Sequence, residues 1–485
     1  MSSIEFPRAF AFAVDDLGWN DGSDISSQQG PYRVGVKRHF DIRDYEHMVA
    51  VGKRVGARIQ CLFILSEMDR ENILAKYPTT TYQRDKWDNS SRVNDEQKQL
   101  MNYVRDQAAY MEFGLHGTGH EYWEPGQPAK RAEWYNLIDR KPWPEVSLRE
   151  HIQCFIDIMA QYGFSKENGH SFPESFVPCA YSYYWNPTGD YSLGKLLTDA
   201  GVKYANTDFA MIPELNPPKD INGGGFDYGT HVINRINYGN EWFALAKLPT
   251  TPLEEQQTDI IESHWANWLA QDDFLQPEVT QAWVDYYKSV QRMPNRYIAK
   301  NTEQLHSQWL YKNYTSVEFP KAGVVNIDNT KMPEKAYRHE TLGNMVLKIK
   351  LAPGQHVSSA SLNGELIPGY FEDEGYAFLY LPTLERKKYT LNYAIGTTKM
   401  PIHLFHDGSG NCYSLVSTAN KIMAKVRVYG TQTIRVYCNK PIQVNTDTAS
   451  LVVENYEYNE EAGEVHVTLH ATDMQGVTGT IVLSY

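Results

Sequence analysis

Cysteine is scarce in this chain of 485 residues: Cys61, Cys154, Cys179, Cys412 and Cys438 are all there are. The number is odd, the positions are scattered and no Cys-x-x-Cys occurs, so neither a disulfide framework nor a zinc knuckle is implied. Long apolar runs are missing as well. None approaches the ~18 residues of a membrane span, and the start, Met1-Ser-Ser-Ile-Glu-Phe-Pro-Arg8, lacks both the basic opening and the apolar stretch of a secretory leader. The expectation is a soluble, cytoplasmic protein; a secreted or periplasmic protein trimmed of its leader would read the same. Clustered positive charge is absent too. Lys and Arg total 46 against 59 Asp and Glu, a net charge of −13, which argues against nucleic acid and anionic membrane as partners. No Gly-x-Gly-x-x-Gly and no phosphate-binding loop follows any predicted strand, which removes the nucleotide-binding folds. Nothing in the sequence sets an oligomeric state.

What is present begins with Ala9-Phe-Ala-Phe-Ala-Val-Asp15-Asp16, a buried-strand pattern that stops on two carboxylates. A helix over 43–55 follows, with Tyr45, Met48, Val49 and Val55 at helical spacing and Gly56 as its stop. Strands are expected over 58–65, 111–115, 175–180 and 202–206, with 242–248 and 259–262 as the sixth and seventh. Helices are expected over 96–108, 193–200, 278–291 and 302–312, and another opened by a capping box at Ser147-Leu-Arg-Glu150. Strand and helix alternate throughout, and the last strand can pair with the first, so residues 1–315 are expected to form a closed, TIM-like parallel α/β barrel.

From about residue 316 the apolar period changes to two, and turn signals such as Asn363-Gly364 and Asp407-Gly408 separate the runs. Residues 316–485 are therefore expected to be all-β, one large β-sandwich or two small ones split near residue 400. A structural lid on the barrel and a carbohydrate-binding role are both open for this region.

Strand ends on one face of a barrel are where α/β folds place their chemistry. Asp15-Asp16 alone reads as a turn, with neighbours pointing to opposite sides. His116-Gly-Thr-Gly-His120 ends the third strand, and its glycines favour a turn that can still bring two imidazoles to one divalent metal ion, most readily zinc. His264 ends the last strand. Placed together, these residues read as a base, an acid and a metal site.

The pattern resembles the polysaccharide deacetylase (NodB-homology) family of carbohydrate esterases, whose fold is a distorted seven-stranded (β/α) barrel. Three short motifs carry the resemblance. The family's Thr-Phe-Asp-Asp-Gly is similar to Ala13-Val-Asp15-Asp16-Leu17, its His-Ser/Thr-x-x-His to His116-Gly-Thr-Gly-His120, and its late strand ending in histidine to Ile261-Glu-Ser-His264. The resemblance implies Asp15 as general base, Asp16, His116 and His120 as metal ligands and His264 as catalytic acid. Its Arg-x-Pro-aromatic-Gly motif meets Phe176-Val-Pro178-Cys179-Ala180 here, which keeps the proline and the backbone N–H of Cys179 as oxyanion donor and lacks the arginine. Arg235, on another segment, is the candidate to take its place or to meet substrate. Asp208 and Asp259 are candidates to orient His264. Trp123, Trp134, Tyr183, Tyr184 and Trp185 are candidates to frame a sugar, with packing as the alternative for each. The expected activity is removal of acetyl groups from an acetylated sugar or polysaccharide. A glycoside hydrolase or cyclic-amide hydrolase on the same barrel, or a carbohydrate-binding protein without catalysis, are the alternatives.

Overall fold

The computed structural model describes residues 4–23, 31–126, 132–189, 191–212, 215, 223–400, 403–406 and 409–485. A two-residue strand, β1 (Ile4–Glu5), precedes the ten-residue β2 (Arg8–Leu17). Along β2 phenylalanine and alanine alternate, and a strand sends alternate residues to opposite faces. Phe10, Phe12 and Val14 pack outward in the core shared with the helices, while Ala9 and Ala13 belong to the core that fills the barrel. Small residues inside and large ones outside let the sheet curl tightly around its own axis.

Seven parallel strands close the barrel. β2 pairs with β3 (Ile59–Ile64), which pairs with β4 (Met111–Gly117); β5 (Ser175–Phe176), β6 (Tyr204–Thr207), β8 (Thr230–Ile236) and β9 (Ile260–His264) continue the ring, and β9 returns to β2. Between β6 and β8, β7 (Gly225–Asp227) folds back antiparallel on β8. The barrel is distorted because β2 is shared: its first residues pair with β10 (Arg296–Ile298) and its second half with β9. Helices α1 (Ile42–Val55), α2 (Asp95–Asp106), α3 (Glu145–Gln161), α4 (Leu193–Ala200) and α5 (Gln276–Arg292) come from the connections between the strands. Asp41 and Asp44 form a reciprocal capping box at the start of α1, and Gly56, at φ 66°, ends it.

Three expectations need correction. Residues 242–248 form no strand; the chain there turns, and its N–H groups at Ala246 and Lys247 reach the carbonyls of Leu269 and Asn267 in a neighbouring loop. The missing barrel strand is β8, whose polar His231, Asn234 and Arg235 interrupt an apolar reading. Ser147 does not cap α3, which already starts at Glu145 behind Pro144. The fourth strand is also short: after Phe176 the chain leaves the sheet through Pro178.

α6 (Thr302–Tyr314) closes the barrel floor. Ten consecutive residues from Thr302 to Tyr311 are buried, because the helix has barrel on one side and sheet on the other. Gln308 ties the two together, donating to the carbonyls of Pro7 and Val346 and accepting from the N–H of Val346. Beneath the barrel, His231 and His306 meet Nδ1 to Nδ1 at 2.9 Å, both fully buried.

Past α6 the chain is antiparallel. β11 (Ser316–Lys321), β12 (Val324–Asp328), β13 (Met345–Lys350), β14 (His356–Leu362), β15 (Glu365–Leu366), β16 (Gly369–Asp373), β17 (Tyr376–Leu381) and β18 (Lys388–Gly396) make a four-stranded sheet, which also recruits β1, and a five-stranded one over a common core. β19 (His403–His406), β20 (Asn411–Ser417), β21 (Lys421–Val428), β22 (Thr431–Tyr437), β23 (Gln443–Thr446), β24 (Leu451–Asn459), β25 (Glu464–Ala471) and β26 (Val477–Ser484) make two four-stranded sheets over another. Asn363 and Gly364, at φ 51° and 89°, form the two-residue turn between β14 and β15. Asp407-Gly408 lies outside the described residues. No helix among them is long and apolar enough to cross a membrane.

Candidate metal centre and active-site cleft

Strict alternation would send Asp15 into the barrel mouth and Asp16 away from it. A bulge prevents this. Pairing of β2 with β3 slips between Val14 and Leu17, and Asp16 takes a left-handed φ of 70°, which turns its carboxylate back beside that of Asp15. The β3–β4 pairing slips in the same way at His116. Around the mouth His120, Ala180 and Tyr181 also have positive φ, at 69°, 51° and 57°. Such backbone is costly for residues with a Cβ and tends to gather at functional sites.

Asp15 is held by Arg235. Nη1 and Nη2 of the guanidinium donate to its two oxygens at 2.9 and 2.5 Å, and both side chains are buried. Burial alone would favour the neutral acid; Arg235, with His116 and His264 behind it, overrides this and keeps the Asp15 pKa below the ordinary carboxylate range. The sequence lacks an arginine after the fourth strand, and the one that pairs with Asp15 comes from β8. Its side chain is 1% exposed and lines the cleft beside Asp15.

Oδ1 of Asp16 lies 3.3 Å from Nε2 of His116 and 3.8 Å from Nε2 of His120, without a well-formed hydrogen bond to either. Burial opposes its charge, but the histidines win and lower its pKa strongly. His116 donates from Nδ1 to the carbonyl of Val177 at 2.8 Å, so its Nε2 faces the cleft as a lone pair. Burial disfavours its charged form, and the two carboxylates raise its pKa nonetheless. On His120, Nδ1 lies 3.5 Å from the buried Glu121 carboxylate, which also accepts the N–H of Tyr32. His116, His120 and Cys179 present ligand atoms within 4.8 Å of one another, a buried group that could hold a metal ion.

The turn between the histidines is built on Glu133. Its carboxylate accepts the N–H groups of Thr118, Gly119 and His120 at 2.8, 3.3 and 2.8 Å and pairs with Nδ1 of His151 at 2.7 Å. Glycine is required twice here. A Cβ on residue 117 would lie 2.1 Å from Oε2 of Glu133, and one on residue 119 would lie 2.1 Å from the carbonyl of Thr80. Glu133 sits in a polar insertion with no motif around it, so nothing in the sequence pointed to it.

Facing the metal group across Asp15 is His264, whose Nε2 is 3.9 Å from Oδ2 of Asp15 and whose Nδ1 is 3.9 Å from Glu262. Glu262 and His264 are two apart on β9 and so share a face. Neither aspartate considered beside His264 partners it. Asp259 pairs with Arg8, and Asp208 accepts the N–H of Ala210. A cleft of about 150 Å³ opens over these groups, and its aromatic walls are Tyr32, Tyr181 and Trp242. Tyr32 stacks on His120 at 4.1 Å and donates to Asp16, while Tyr181 donates to Glu262 at 2.7 Å.

The five aromatics considered as a sugar frame do not line it. Trp123, Trp134 and Tyr183 are buried in packing; the Trp134 indole donates to the carbonyl of His116 and Tyr183 donates to Asp227. Tyr184 stacks on Tyr135, and Trp185 packs against Phe209. Rings that fill an insertion between strands are under the same pressure to leave water as rings that meet a ligand. Cys179 lies fully buried between Pro178 and Ala180 of the cleft wall, its thiol donating to the carbonyl of His116. No protein-family model, curated protein or solved structure matches this chain.

Proposed function

We propose that the chain is a metal-dependent hydrolase. The reaction we infer is removal of acetyl groups from an acetylated sugar or polysaccharide, with zinc held by Asp16, His116 and His120, as the resemblance to polysaccharide deacetylases implies. The observation that carries this reading is the bulge at Asp15-Asp16, which gives one carboxylate to Arg235 and its neighbour to two imidazoles.

Asp16 suits the third ligand position better than Cys179. The Cys179 thiol is engaged with the protein itself, donating to the carbonyl of His116. The Asp16 carboxylate is already ionised, buried and short of a hydrogen-bond partner at Oδ1. Two imidazoles and one carboxylate form a usual catalytic zinc set. Zinc in such a site supplies a Lewis acid and lowers the pKa of water.

The chain's own groups supply the rest. Asp15 accepts the proton of the attacking water, and Arg235 fixes the plane of its carboxylate. His264 Nε2 gives a proton to the leaving amine or alcohol from the opposite side. Glu262 lies 3.9 Å from Nδ1 of that imidazole, and Asn267 accepts the backbone N–H of His264. The backbone N–H of Cys179 remains the candidate oxyanion donor. Tyr32, Tyr181 and Trp242 are placed to stack on a sugar ring. A glycosidase needs one carboxyl that keeps its proton near neutral pH, and the lowered pKa values of Asp15 and Asp16 suit neither of them to that role.

Acetate release tests it. Zinc-loaded protein incubated with chitin oligosaccharides and with acetylated xylan is expected to free acetate from at least one of them. Shortened saccharides without acetate would favour the glycosidase, and no product from either substrate would count against hydrolysis of acetylated sugars.

A further inference from the structure

A second cavity, about 690 Å³ in volume, lies on the opposite side of the barrel from the cleft. Glu174 and Lys203, just before β5 and β6, place it at the barrel floor, and its remaining walls come from α6, from residues 336–342, from the loop after β17, from β20 and β21, and from Gly476 and Thr478 at the start of β26. Its volume is within the range of small-molecule sites.

The wall is polar and its charges balance. Glu174, Glu303 and Glu340 stand against Lys203, Lys425 and Arg427. Arg427 bridges Glu174 at 2.6 Å and Glu303 at 2.9 Å, Lys203 pairs with Glu174 at 3.1 Å, and Tyr413 donates to Glu303 at 2.7 Å. An anionic ligand would meet three acids, and a cationic one three bases. An apolar ligand would find only Ala336, Leu342 and Pro382 as aliphatic contacts. What the wall offers is donors and acceptors side by side, with the hydroxyls of Thr383, Ser414 and Thr478 among them. Groups that both donate and accept fit such a wall, and sugar hydroxyls do both.

One buried donor in the wall is left over. Arg427 is 6% exposed, and its Nε has no hydrogen-bond partner although both terminal nitrogens are paired. A Cβ on Gly476, also in the wall, would lie 2.6 Å from the Tyr429 ring and 3.0 Å from Nε, so Nε is enclosed by protein, and it is the hydroxyls of Thr383, Ser414 and Thr478 that are left to meet a ligand.

We propose that this junction cavity is a saccharide-binding site that takes an uncharged oligosaccharide. It does not depend on the reaction assigned to the cleft. The test uses the full chain, with cellotetraose, xylotetraose and chitotetraose as probes in saturation-transfer NMR and calorimetry. Thr478 is exposed on β26 directly opposite Arg427, so Thr478→Trp places a large ring in the cavity beside the Arg427 ion pairs. At least one probe is expected to bind, and Thr478→Trp to weaken that binding by about tenfold or more, equivalent to at least ~1.4 kcal/mol, with the melting temperature unchanged. If that variant melts early, Lys425→Ala is read by the same criterion. Absence of binding by all three probes overturns the proposal, and so does binding to the folded variant equal to wild type.

Discussion

Asp15→Asn is expected to lower acetate release by about 10²–10⁴-fold, the usual contribution of a positioned general base, while metal content stays at the wild-type level. Asparagine keeps the shape and can still accept one hydrogen bond from Arg235, so the guanidinium retains a partner besides Glu262 at 3.6 Å. What is lost is the proton acceptor. Arg235, His116 and His264 outweigh the burial of Asp15 and keep its pKa below the ordinary carboxylate range; the acid limb of the pH–rate profile is therefore expected not to follow Asp15. Parallel measurement of kcat and bound metal separates two outcomes. Loss of metal together with activity would make Asp15 a ligand, and full activity would place the base elsewhere.

Stability is expected to fall by about 3 kcal/mol between pH 6.5 and pH 5 because of His231 and His306, each unmatched proton being worth ~1.4 kcal/mol per pH unit once the unfolded histidines are fully protonated. Burial pushes His231 down to about 3 and His306 well below its ordinary value, with His231 adding to the effect on His306. One ring must donate and the other accept across their 2.9 Å contact, which two neutral imidazoles can do and two cations cannot. The sign follows from the lowered pKa values. Above about 6.5 neither state is protonated and the pair has no pH dependence; below it the unfolded chain takes up two protons that the folded chain refuses, and stability drops as pH falls. Urea unfolding at several pH values checks this against a variant with both residues changed to Gln, which should lack that part of the slope. Equal slopes would show that the pair is charged or open to water.

The relation between chain and site is instructive at particular residues. Asp15, Asp16, His116, His120 and His264 were legible because strand ends on one barrel face are recognisable from period and turn residues. The bulge was not. Period two assigns Asp15 and Asp16 to opposite faces, and only the register slip at Val14–Leu17, with Asp16 at φ 70°, brings them together. β8 was hidden by its own function: Arg235 points into the barrel, so the strand carries charge where an apolar residue is expected. Residues 242–248 misled in the opposite sense. Trp242 faces the cleft, and Ala246 at φ 51° cannot extend a strand. Ring-rich insertions could not reveal which rings face water, because Trp134 and Trp242 look alike until the fold buries one and not the other.

Glu133 marks another limit. A single carboxylate that accepts three successive backbone N–H groups and an imidazole has no sequence signature, since each partner except His151 is backbone. Its position could follow only from the turn that it holds.

Asp16, with His116 and His120, is proposed to hold a catalytic zinc ion. Metal content of the folded full-length protein, measured by mass spectrometry for wild type, Asp16→Ala and Cys179→Ser, tests it most directly. About one zinc per chain is predicted for wild type and for Cys179→Ser, and close to none for Asp16→Ala, with melting curves showing all three folded. Equal metal in wild type and Asp16→Ala, or loss of metal from Cys179→Ser alone, would contradict the account.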